Sequence, residues 1–170
     1  MPTDPVIINE RIAIILGVVT LTLGIAAFAS CKTCFSIFRR FGWGNPLDNK
    51  GYRLFFRYHS YYWWAFGIVL ISHIFIAFVH TGLPQAGDPG AWIHWVILSL
   101  GLVTALSAGV QFFSCRICFK FLSRQKSSDF FNNRTLQPFF KFHSYYWIIF
   151  FLLAFVHFAA GYYHAGIWPV

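Results

Sequence analysis

Four long apolar stretches, Val6–Ser30, Phe55–Gly82, Ala91–Ser114 and Phe139–Ile167, take up most of the chain. Each exceeds the roughly 20 helical residues needed to cross a hydrocarbon layer about 30 Å thick. Backbone groups inside a bilayer must satisfy one another, so such stretches predict helices. The pattern therefore predicts an all-α, four-span transmembrane bundle, a single integral membrane domain over residues 1–170.

Composition agrees with the pattern. Of the 170 residues 58% are hydrophobic and only 11% charged, where a soluble domain carries about a quarter charged. This excludes a disordered chain, a nucleic-acid-binding domain and a small disulfide scaffold. The net charge of +8 is a matter of placement. Of thirteen Lys and Arg residues, all but Arg11 lie between Lys32 and Arg57 or between Arg116 and Lys141. Those are the first and third connections, on one side of a four-span topology. Lys and Arg are retained on the cytoplasmic side during insertion. Both termini are thus expected outside a plasma or inner membrane, with the basic loops cytoplasmic and touching lipid phosphates. Cys31 follows Ala-Phe-Ala-Ser, a context reminiscent of lipoprotein processing, but Asp4 and Glu10 replace a basic leader and the apolar run is long. The first stretch reads as a structural span.

The chain repeats itself at an offset of 84 residues without a gap between Glu10 and Val170. Cys31 and Cys34 fall on Cys115 and Cys118, and His59-Ser60-Tyr61-Tyr62-Trp63 falls on His143-Ser144-Tyr145-Tyr146-Trp147. His73 falls on His157, His80 on His164, and Leu16-Gly17 on Leu100-Gly101. The halves, about residues 10–86 and 94–170, have two spans each and enter the membrane in the same orientation. They are expected to be tandem two-helix repeats about a pseudo-twofold axis along the membrane normal. Residue types that ligate metals are those matched.

His59 and His73 are 14 residues apart, as are His143 and His157. That is close to four helical turns, so both histidines of a helix share a face at levels roughly 21 Å apart. Two helices so built present two His–His pairs stacked through the bilayer, which suits two haem b groups held by bis-His ligation. Another metal or tetrapyrrole, or plain packing, would use the same residues. The only methionine is Met1, so His/Met ligation is not expected, and Phe35 and Phe119 stand where a His would follow each C-x-x-C, so covalent haem attachment is not expected either.

This arrangement resembles the four-helix haem core of membrane b-type cytochromes, as in the cytochrome b of quinol-oxidising complexes and the ferric reductase and NADPH oxidase superfamily. The resemblance implies that glycines on the first and third helices let the porphyrin approach. Gly17 and Gly24, and Gly101, Ala108 and Gly109, are placed for that part, or for close helix packing. The chain departs from the pattern in its His80/His164 pair, its four cysteines, and its lack of further spans or a flavin domain.

C-x-x-C closes the first and third spans at the basic end. Cys31, Cys34, Cys115 and Cys118 could meet across the axis and bind zinc, a single iron or a [4Fe–4S] cluster. A reversible dithiol or inert interfacial thiols are the other readings. His80 and His164 stand near the outer interface, with His94 and, in matched register, Glu10. A propionate contact, a quinone or proton site, or a further ligand role are the expectations there.

Four function classes follow. The leading expectation is transmembrane electron transfer by a diheme cytochrome, alone or as the membrane subunit of an oxidoreductase, with a quinone or a redox protein as partner. The others are a metal-ion transporter using the His ladder, a thiol–quinone oxidoreductase, and a pigment-binding protein. The absence of a carboxylate deep in any span weighs against transport, and the inward-facing cysteines against thiol–quinone exchange.

Overall fold

A computed structural model describes residues 5–31, 41–42, 44–82, 91–115, 134 and 137–165. Helix α1 (Pro5–Ala29) is followed by a 3-10 turn (Pro46–Asp48), α2 (Lys50–Arg57), α3 (His59–Thr81), α4 (Ala91–Ser114), α5 (Gln137–Lys141) and α6 (His143–Ala165). The described residues contain no strand. The four long helices, α1, α3, α4 and α6, are long and apolar enough to cross a membrane.

The second and fourth apolar stretches are each divided. Phe55 and Phe56 belong to α2, and the helix breaks at Tyr58, whose N–H turns back to the Phe55 carbonyl at 3.2 Å. Asn49 starts α2 by accepting the Gly51 and Tyr52 N–H groups at 2.8 and 3.2 Å, a side-chain cap for otherwise orphaned donors. Lys50, Arg53 and Arg57 of α2 are exposed, while Tyr52, Phe55 and Phe56 are half-buried. That two-faced pattern suits a helix lying along a membrane surface. The Tyr52 hydroxyl donates to the Ala29 carbonyl and ties α2 to the end of α1. The short α5 and the break at Phe142 stand in the same relation to α6. In consequence His59 and His143 are the first residues of α3 and α6.

Helix α1 packs along α3, and α4 along α6, and the two hairpins meet more sparingly. Across the centre α3 and α6 touch through side chains. Trp63 and Trp147 have ring centroids 5.4 Å apart, and Phe66 and Phe150 5.7 Å. With Ala27, Ala108 and Cys115 these rings form the buried core. Gly24 opposes the Phe66 and Phe150 rings, which a Cβ there would meet at 3.3 and 3.4 Å. On the far face of α3, Trp64, Ile68, Ile71, Phe75 and Phe78 are exposed at spacings of 4, 3, 4 and 3. A continuous apolar stripe of this kind suits contact with lipid.

Burial is uneven along the bundle. Every fully buried residue among those described lies between the basic end and the level of Thr20, Phe66, Thr104 and Phe150. Among the described residues, 11–19, 67–79, 91–103 and 151–164 include none that is fully buried. Hence the half at the basic end is tightly filled and the opposite half is loosely packed.

Candidate functional site: two levels of histidine in one bundle

Local contacts recur in both halves. Thr20 and Thr104 each donate to the carbonyl four residues back, Leu16 and Leu100, at 2.7 Å. Ser30 and Ser114 each donate to the carbonyl three residues back, Ala27 and Gln111, at 3.0 Å. Such back-bonding consumes the hydroxyl proton. The serine oxygens are then acceptors for His59 Nδ1 at 2.8 Å and His143 Nδ1 at 2.7 Å. With Nδ1–H so held, each Nε2 is left with its lone pair. The Trp147 Nε1–H donates to His143 Nε2 at 3.3 Å, as this tautomer requires.

These lone pairs do not point at each other. His59 Nε2 lies 3.2 Å from Cys115 Sγ, and His143 Nε2 lies 3.4 Å from Cys31 Sγ. Each imidazole thus reaches the thiol of the opposite half. The expected inner His59–His143 pair is replaced by two crossed His–Cys contacts. Cys31 and Cys115 are also neighbours, and neither is in a disulfide. The neighbouring Cys115 and burial push the Cys31 thiol up to about 12, against the opposing effect of His143. Cys34 and Cys118 lie outside the described residues.

Two buried polar groups stand one helical turn from members of this cluster. Trp63 occupies the position matching Trp147, yet its Nε1 has no hydrogen-bond partner. Gln111 is fully buried with both amide atoms unpartnered, on the α4 face that carries Ser114 and Cys115 one turn on. Its counterpart in the first half is Ala27.

Some four turns away, His73 and His157 face each other with ring centroids 6.4 Å apart and planes at 77°. His73 Nδ1 is 3.0 Å from the Ala13 carbonyl. The matching His157 Nδ1 approaches the Ile97 carbonyl, 84 residues beyond Ala13, but is buried without a hydrogen bond of ordinary geometry. Gly17 and Gly101 lie directly under these rings. A Cβ on Gly17 would meet His73 Cε1 at 3.3 Å, and one on Gly101 would meet His157 Cε1 at 2.9 Å. The glycines therefore seat imidazoles. Gly109 has open space around it, and Ala108 sits in the buried core.

Beyond them His94 Nε2 and His164 Nε2 are 2.7 Å apart, joining α4 to α6 at its end. His80 and Glu10 lie within helices α3 and α1, and their side chains fall outside the described ones. Ser30, Ser114, Gln111 and the Trp147 N–H were not singled out from sequence. The serines carried a signal, because Ser30-Cys31 falls on Ser114-Cys115 in the repeat.

No family model, curated protein or solved structure matches this chain. Its function has to be argued from the geometry above.

Proposed function

We propose that this protein carries electrons across a membrane, using a haem b held between His73 and His157. The observation that carries this reading is the separation of the two rings. Two metal–imidazole bonds of about 2.0 Å, with each ring nitrogen about 1.1 Å from its ring centre, place bis-ligating centroids about 6.2 Å apart. The rings here stand at 6.4 Å. His73 has its Nδ1 on a backbone carbonyl, the outer partner that fixes a ligating imidazole and leaves Nε2 for metal. The pair also stands in the loosely packed half of the bundle, among small residues such as Gly17 and Gly101.

The residues at the inner level do not fit a porphyrin. Each imidazole is turned to a thiol of the opposite half and not to the other imidazole, and Trp63 and Trp147 fill the space a macrocycle would need. We therefore assign one haem site, not two.

When bound, the haem supplies the one-electron redox change, and the protein supplies ligation, orientation and dielectric. Ala13 orients His73 through its carbonyl. The Phe66, Phe150, Trp63 and Trp147 rings keep the centre dry, which sets the environment of the iron and blocks a water path between the two levels. Placement of the basic loops supports a cytoplasmic inner cluster and an outer histidine pair, so electrons travel between a cytoplasmic or quinone donor and an outer acceptor. The matched contacts of the two halves support a parallel repeat.

Haem content tests this. Protein purified from membranes is expected to carry one haem b per chain, with b-type bands on reduction, and His73→Ala or His157→Ala is expected to lose it. A colourless wild-type protein, or full haem retention in both variants, overturns the reading.

A further inference from the structure

Crossed contacts between the halves put two thiols and two imidazoles together at the inner end of the bundle. Each half supplies one of each, and each imidazole meets the thiol of the other half. We propose that Cys31, Cys115, His59 and His143 form a second metal centre, a two-cysteine, two-histidine site for a divalent transition metal of the zinc or ferrous iron class.

Geometry is the first support. In a tetrahedral site with metal–sulfur bonds of about 2.3 Å and metal–nitrogen bonds of about 2.0 Å, a sulfur–nitrogen edge is about 3.5 Å. The observed edges are 3.2 and 3.4 Å. As they stand, no three or more His, Cys, Asp or Glu side chains among the described residues are placed to hold a metal ion. The ion therefore has to draw the two pairs onto one point: the two observed sulfur–nitrogen edges lengthen by about 0.1–0.3 Å while the distances between the pairs close.

The imidazoles are also prepared for it. Ser30 and Ser114 take their Nδ1 protons and are themselves anchored on helix-end carbonyls. This outer layer fixes the tautomer that ligates through Nε2. Charge is the third support. A divalent ion with two thiolates and two neutral imidazoles has no net charge, which a buried setting requires. Binding exchanges two thiol protons for the ion, with no change of oxidation state.

This centre is independent of the haem assignment. The test is metal analysis of detergent-purified full-length protein, with haem measured on the same samples. We expect one zinc or non-haem iron per chain, lost at least tenfold in Cys31→Ser and His143→Ala, and retained in a Cys34→Ser/Cys118→Ser double variant. His73→Ala is expected to keep this metal while losing haem. Cobalt(II) added to metal-stripped wild type is expected to give tetrahedral d–d bands and thiolate charge-transfer absorption, a readout that needs no variant to fold. Absence of metal in the wild type with no cobalt spectrum overturns the proposal. So does a Cys31–Cys115 disulfide in non-reduced peptide maps, or loss of metal from the Cys34→Ser/Cys118→Ser protein, which would mark a four-cysteine site.

Discussion

Gly17 and Gly101 show how little room an imidazole has between these helices. The two are equivalent in the repeat but not in tightness, since an added Cβ would meet His73 at 3.3 Å and His157 at 2.9 Å. Overpacking of this kind costs about 1–3 kcal/mol, and here it falls on a proposed ligand. Gly101→Ala should therefore release haem more readily than Gly17→Ala, while Gly67→Ala, with open space around it, should behave as wild type. The check is haem retained per chain after purification, compared across the three variants. Equal retention in Gly101→Ala and Gly67→Ala would show that the His157 ring does not bear on the cofactor.

At the scale of elements, hydropathy located the four long helices to within a few residues, because span length and apolarity are imposed by the bilayer itself. It missed the breaks at Tyr58 and Phe142. An apolar average does not register a bend, and Phe55, Phe56 and Phe139 are as apolar as the spans they precede. The 84-residue repeat put His73 and His157 at one level, able to meet across the axis, and the structure brings their rings together. It could not foretell that His59 and His143 turn to thiols. Spacing sets the depth and face of a residue but not its side-chain torsions. Those depend on what the neighbouring helix end offers, here Ser30-Cys31 and Ser114-Cys115. Gln111 was invisible for a different reason: it interrupts the repeat, and a search for matched positions passes over the residue that departs from them.

For the whole molecule, the proposed order from inside to outside is metal centre, aromatic plug, haem and outer histidine pair. That order holds only if the basic connections are cytoplasmic. A tag added after Val170 should be reached by an impermeant reagent on intact cells, and the lysines between Arg116 and Lys141 only after permeabilisation. The reverse labelling pattern would invert the direction of the electron path. The central claim, two imidazoles on one haem iron, is tested most directly by electron paramagnetic resonance of the oxidised protein. With ring planes at 77°, the account predicts a low-spin ferric signal of the highly anisotropic kind, absent from His73→Ala. A high-spin ferric signal in the wild type, or no haem iron signal at all, would contradict it.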